Sequence, residues 1–312
     1  LPFPAFDAAA LCARFPPRFR AENTRRAHAW LRATHAPSGT LAVSRTHERE
    51  LPAEYRVPGG PDVRCVDTYY DYPASSDEAR HWHVNFAHSD LFVAYGGPGL
   101  AQDELQVLEH PVLASLRERL VQEPMAELPP ATVFDGAPTP ILIEGALRLG
   151  QLETRELYGR RFSEAGEEAL RSALTILPRP HATHLIAMEA IPGGRGAYSL
   201  DEIDYLLATA YTGFLTAVAR TRSRGDADTV IHTGFWGCGA YGGNRRLMTL
   251  VQLIAARLAD ADELVFHAPG ATDAFDDARR ELARMAPRTL ATERLLAAIE
   301  RCGFAWGVSD GT

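Results

Sequence analysis

The 312 residues suit one decorated domain better than two large ones, and 46% hydrophobic and 23% charged residues can bury a core without disulfide or metal staples. A formal net charge of −8 argues against a uniformly basic nucleic-acid binder, and because all 32 basic residues are arginine, no lysine can act as a Schiff-base nucleophile or P-loop cation. The cysteines at 12, 65, 238 and 302 form no CxxC pair, the start is unlike a signal peptide, and no apolar run reaches membrane-spanning length; these features suit a soluble cytoplasmic protein with no membrane partner.

Residues 1–60 read as an arginine-rich, mostly helical extension, with helical composition from Ala21 to Thr34 and a break at Pro37-Ser38-Gly39. From residue 61 to 312 short β-branched or aromatic runs alternate with longer amphipathic stretches. Strands are expected at Val63–Tyr69, Trp82–Phe86, Pro140–Glu144, His184–Glu189, Thr229–Thr233 and Glu263–His267. Helices are expected at Gln102–Leu108, Pro111–Gln122, Glu164–Leu174, Leu200–Arg220, Arg245–Asp260, Ala274–Met285 and Thr292–Cys302. The alternation predicts an α/β layered domain with a mostly parallel or mixed sheet.

The densest chemical signal is the run from Thr233 to Gly243, where a strand enters and an amphipathic helix leaves. Glycines let a backbone turn tightly and let a ligand approach without Cβ clashes. Amides and dipole at the following helix start favour a phosphate or diphosphate, and Arg245 and Arg246 add positive charge. Residues 237–242 also fit G-x-G-x-x-G, which keeps a nicotinamide oxidoreductase in view. Against it, the motif falls in the last quarter of the chain, and the next strand ends in Ala268-Pro269-Gly270 rather than in an acid for a ribose. A glycine-rich turn with no ligand is the plainer alternative.

Gln102-Asp103-Glu104 opens a helix after the glycine-containing loop Gly96-Gly97-Pro98-Gly99. Acids in a first turn are explained by the helix dipole alone. Neighbouring carboxylates in a partly closed site have a second use. They cannot both ionise cheaply, so one can hold a proton near neutrality and deliver it to a leaving atom, while its partner holds ribose hydroxyls. A sugar-chemistry end joined to a diphosphate end describes ADP-ribose.

These residues resemble the poly(ADP-ribose) glycohydrolases. The run from Thr233 to Gly243, with the Leu247 to Ala256 helix after it, is similar to that family's diphosphate loop and helix. Asn85-Phe86-Ala87-His88 resembles its Asp-Phe-Ala-Asn strand end, and Gln102-Asp103-Glu104 its Gln-Glu-Glu catalytic element. Ala187–Ala190, Ala210–Phe214 and Leu157–Gly159 resemble further segments, from about residue 63 to the C-terminus.

The resemblance implies a macrodomain-like three-layer α/β/α sandwich with a mixed sheet. It implies a catalytic Glu104, with Asp103 against the distal ribose. Asn85, His88, Gly96, Gly97, Gly99, Gln102 and Phe235 would surround the ligand. Gly237, Cys238, Gly239, Ala240, Tyr241 and Gly242 would cradle the diphosphate. Adenine would rest on aromatic or proline surface, with Tyr158 and the strand end at 266–270 as candidates. Neither a cofactor nor a metal is implied. The implied substrate is an ADP-ribose-modified protein, nucleic-acid base or polymer, handled by a monomer; a binding-only macrodomain is the other reading.

Several positions depart from the family pattern. The family has three consecutive glycines before Gln-Glu-Glu, whereas a gapless alignment from Asn85 to Glu104 puts Phe92-Val93-Ala94 there. His88 stands for an asparagine, Phe235 for the asparagine of Thr-Gly-Asn-Trp, and Asp103 for the first glutamate. All lie toward the distal ribose, so ADP-ribose binding is expected more firmly than polymer cleavage.

His81-x-His83 puts two imidazoles on one strand face with His88 nearby, but no cysteine or acid completes a zinc set at ligand spacing. Asp201, Glu202 and Asp204 read as first-turn acids, and Cys238 as a packed thiol.

Overall fold

A computed structural model describes residues 3–57, 59–225 and 227–311. Its strands are β1 (Ala5–Asp7), β2 (Thr40–Arg45), β3 (Glu54–Tyr55), β4 (Asp62–Val66), β5 (Ala79–Ala87), β6 (Val133–Phe134), β7 (Ala137–Pro138), β8 (Ile141–Leu152), β9 (Leu174–Glu189), β10 (Asp228–Gly234), β11 (Glu263–His267) and β12 (Leu290–Ala291). Its helices are α1 (Ala8–Arg14), α2 (Glu22–Thr34), α3 (Gln102–Glu109), α4 (Val112–Gln122), α5 (Arg161–Glu164), α6 (Glu167–Ala173), α7 (Leu200–Arg222), α8 (Arg245–Leu258), α9 (Thr272–Met285) and α10 (Thr292–Arg301).

One eight-stranded sheet, ordered β1-β2-β8-β9-β5-β10-β11-β4, carries the molecule. From β9 to β4 the neighbours are parallel, and from β1 to β9 they are antiparallel. The β-branched run of β10 suits the sheet centre, and it is buried from Thr229 to Gly234. On one face Trp82, Val84, Ile186, Ile231, Leu264 and Phe266 pack against α7, α8 and α10. On the other, Ala87, Ile141, Ile143, Leu185 and Ala187 pack against α1 and α4. The result is the expected α/β/α sandwich with a mixed sheet. Burial of these apolar side chains drives the layering, at roughly 1.5–3 kcal/mol for each large one.

Helix starts follow local chemistry. Ser199 and Glu202 cap α7 reciprocally: the Ser199 N–H donates to Glu202 Oε2 at 2.8 Å and the Glu202 N–H to Ser199 Oγ at 3.3 Å. This agrees with the first-turn reading for Asp201 and Glu202, whereas Asp204 falls past the first turn.

Three expectations need correction. Residues 1–60 are not only a helical extension, because β1 pairs with β2 and β2 with β8 at the edge of the main sheet. Interleaved polar residues and a short, partly exposed β1 concealed this. The strands expected at 140–144 and 184–189 are the ends of a much longer hairpin of β8 with β9. Gly145, at φ +81°, kinks β8 at the first of two register shifts, and Pro178 and Pro180 interrupt the strand pattern of β9. The helix expected over 164–174 is split into α5 and α6 at Ala165-Gly166.

Candidate active site

The carboxyl ends of β5, β9, β10 and β11 open on a cavity of about 560 Å³, ample for one nucleotide sugar. Asp103 and Glu104 line it from one side, and Gly237, Cys238, Gly239, Ala240 and Tyr241 from another. The two segments that the sequence separates by more than a hundred residues therefore share one wall system.

The acid pair is built from the end of β5. Asn85 is fully buried and donates through Nδ2 to Asp103 Oδ1 at 2.9 Å and to Gln106 Oε1 at 2.8 Å. Gln102 lies at the cavity but is bound by its amide to β5: Oε1 accepts from the Phe86 N–H at 2.8 Å, and Nε2 donates to the Val84 carbonyl at 3.0 Å. Glu104 turns back to accept the Ala101 N–H at 2.9 Å, fixing the first turn of α3. Burial raises both carboxyls above their ordinary range, and the charge of Glu104 raises Asp103 further. For Glu104 the rise is held back by its own N–H, that of Ala101 and the nearby imidazole of His88. His88 is exposed at the rim, its Nδ1 accepting the Asp90 N–H at 3.0 Å.

The opposite wall turns at glycines. Gly237 and Gly242 have φ of +71° and +67°, and a Cβ on Gly237 would meet the Ala190 Cβ at 2.5 Å. The Gly243 N–H donates to the Gly237 carbonyl at 2.9 Å, closing the loop on itself. Tyr241 donates its hydroxyl to Glu189 Oε1 at 2.9 Å, which joins this wall to the end of β9. Burial pushes the Cys238 thiol up to about 12, so it stays protonated and packs. Arg245 lines the cavity and lies over the Phe235 ring at 5.0 Å.

Other expectations fare differently. The first amides of α8 are not held open for an anion, because Asn244 Oδ1 accepts the N–H groups of Arg246 and Leu247, each at 3.1 Å. Arg246 turns away to Glu281 at 3.4 Å. Gly96, Gly97 and Gly242 are not among the cavity residues, and Asn85 stands behind Asp103. Gly96 is instead a site of close backbone approach: its Cβ would meet the Arg18 carbonyl oxygen at 2.3 Å, and its own carbonyl accepts the Arg20 and Ala21 N–H groups. Gly97 accepts the Thr24 hydroxyl at 2.9 Å. The cavity-facing part of this loop is Val93 and Ala94, together with Gly99. That is where the gapless alignment puts the missing glycines.

Sequence reasoning did not find Tyr69, Tyr70 and Asp310, which also line the cavity, and gave His267 no role of its own. Tyr69, expected to end the strand Val63–Tyr69, lies with Tyr70 in the irregular loop after β4, which stops at Val66. Tyr158, a candidate for adenine, does line it. The imidazoles of His81 and His83 share a sheet face as expected, but His88 is apart from them at the cavity rim.

Residues 75–275 match the family described as poly(ADP-ribose) glycohydrolase, macro domain fold. Among solved structures, the chain is similar to a poly(ADP-ribose) glycohydrolase from Thermomonospora curvata, with 14% identity, 87% of this chain and 98% of that chain covered, and a TM-score of 0.42. It is similar as well to the enzyme from Deinococcus radiodurans in complex with ADP-ribose, at 15% identity, 88% and 98% coverage, and a TM-score of 0.42.

Proposed function

Because this chain belongs to the poly(ADP-ribose) glycohydrolase family, we propose that it is an ADP-ribosyl glycohydrolase that cleaves the bond between the distal ribose C1″ and an acceptor, with Glu104 as general acid and base. The observation that carries this reading is the shared cavity, with a proton-retaining acid pair on one wall and a glycine-rich turn on another.

In the proposed mechanism the turn at 237–241 and Arg245 hold the diphosphate, and Asp103 orients the ribose hydroxyls. The pair retains one proton near neutral pH. Glu104 is the member less deeply buried, and in its protonated form it gives a proton to the leaving atom as C1″ gains oxocarbenium character. Glu104, or a substrate phosphate, then assists the attack of water. Holding water and ribose together supplies much of the rate.

We favour a single ADP-ribose on a protein side chain or nucleobase over a polymer as substrate. Val93 and Ala94 carry side chains where the family pattern has glycines, and this narrows the approach to the ribose. We take the working form to be a cytoplasmic monomer. No described helix is long and apolar enough to cross a membrane.

The test is a panel of polymer, serine-linked, arginine-linked and nucleobase-linked ADP-ribose, assayed with the wild type and Glu104→Gln, beside calorimetry with ADP-ribose. Release from a mono-linked substrate that is lost in the variant supports the reading. Tight ADP-ribose binding with no release from any substrate would make the protein a reader instead.

A further inference from the structure

A chain of imidazoles crosses the sheet face next to the cavity. His232 lies in β10 and His267 ends β11; Val265 pairs with His232 and Gly234 with His267, so both histidines are on one face. The loop after β4 crosses over them. His267 Nδ1 lies 3.2 Å from the Thr68 carbonyl and 3.1 Å from that of Tyr69. A carbonyl only accepts, so Nδ1 carries the ring proton and Nε2 keeps a lone pair. That lone pair faces His232 Nδ1 at 3.1 Å. The other nitrogen of His232, Nε2, lies 2.9 Å from His81 Nδ1. Asp71 stands on the same loop, exposed, and one ligand atom from each of Asp71, His232 and His267 lies within 4.8 Å of the others.

We propose that Asp71, His232 and His267 form a binding site for one divalent d-block cation, zinc by ligand chemistry, that ties the 67–72 loop to the sheet. Zinc takes imidazole nitrogen and carboxylate oxygen at about 2.0–2.2 Å in tetrahedral geometry, which puts two nitrogens of one ion about 3.3 Å apart. The facing nitrogens are already close to that spacing. The exposed carboxylate of Asp71 closes the remaining gap by side-chain rotation, and water takes the fourth position.

The surrounding hydrogen bonds fit this role. A ligating histidine donates its other N–H to a fixed acceptor, which orients the ring. His267 does so to the 68–69 carbonyls. His232 does so to His81 once its proton sits on Nε2, with the proton of His81 moved to its own Nε2; each ring keeps one proton. His83 stacks on His232 with centroids 4.4 Å apart and walls the far side.

Tyr69, Tyr70 and His267 line the cavity, so an ion here would fix one of its walls without taking part in bond cleavage. The proposal does not depend on hydrolysis, and its test reads metal directly. The full chain is stripped with chelator and titrated with zinc by calorimetry, and with cobalt(II) by its visible tetrahedral absorption, beside Asp71→Asn, His267→Gln and the exposed control His47→Ala. The expected result is one equivalent of metal in wild type and His47→Ala, and affinity at least ~10-fold weaker in Asp71→Asn, the lower end of what even outer-shell changes do. His267→Gln should weaken it further. If His267→Gln fails to fold, exposed Asp71→Asn still decides. Less than one equivalent in wild type, or unchanged affinity in Asp71→Asn, would overturn the proposal.

Discussion

Two buried acidic sites lie toward opposite ends of the parallel strands, and the fold treats them in opposite ways. Glu144, with a side chain 5% exposed, receives three guanidinium groups, from Arg80, Arg220 and, at 3.0 Å, Arg224. Asp103 is almost as buried, yet it has the neutral amide of Asn85 and only a minor pull from Arg117, which is itself paired with Asp90. A carboxylate surrounded by cations braces the fold. A carboxyl that is buried without them keeps a proton and is available for chemistry.

The comparison can be broken by exchanging the fates of the two sites. Glu104→Gln should lower turnover by ~10²–10⁴-fold, the usual contribution of a positioned acid or base, with ADP-ribose affinity retained in calorimetry. Full activity in that variant would remove Glu104 from the role. Glu144→Ala should cost about 3–5 kcal/mol of stability in denaturant melts, because three arginines lose their common partner. A melt equal to wild type would make the cluster ornamental.

Asp103→Asn should act with the opposite sign. Burial and the charge of Glu104 push Asp103 up to about 8, against an unfolded value near 3.9. A carboxyl whose folded pKa is raised favours the folded state most at low pH, and that contribution is lost as pH rises from about 4 to about 8. The asparagine variant should therefore be more stable than wild type by ~1–2 kcal/mol at alkaline pH, with the gap closing toward pH ~4. Its activity profile should lose its alkaline limb at lower pH, since Glu104 no longer faces a second charge. Equal melting at every pH would show that Asp103 titrates normally.

The smallest contrast is between glycines of one loop. Gly96→Ala puts a methyl against the Arg18 carbonyl at 2.3 Å and should cost about 1–3 kcal/mol with little effect on ligand affinity. Gly99→Ala has open space around its Cβ position yet faces the cavity, so it should fold normally and weaken ADP-ribose binding. Calorimetry on the two variants separates structural from ligand-facing glycine.

The same loop marks where the sequence stops being legible. The parallel half could be read because β10, β11 and the flanking helices carry clean periodicity and end in recognisable turns. Gln102-Asp103-Glu104 and the run from 237 to 241 could be found because each has its chemistry in consecutive residues. Gly96 and Gly97 are grouped with the ligand by the sequence yet hold the backbone of residues 18–24, because a glycine serving a ligand and one serving a neighbouring backbone look alike in one dimension. The β8–β9 hairpin was hidden by its own kinks and prolines. The meeting of Asp71, His232 and His267 depends on the register of parallel strands joined through long crossovers, which no local spacing encodes.

The braces on the two cavity loops come from the far ends of the chain. The backbone at 18–21 and Thr24 grip the 96–97 turn, while the Gly307 N–H donates to the Gly242 carbonyl at 2.8 Å and Asn244 Nδ2 to the Ala305 carbonyl at 2.8 Å. The stretch that matches the family, 75–275, contains neither brace. Trimming the protein to that stretch would remove β1, β2 and β4 from the main sheet along with both braces, so the part that matches the family and the working unit are different lengths of polypeptide.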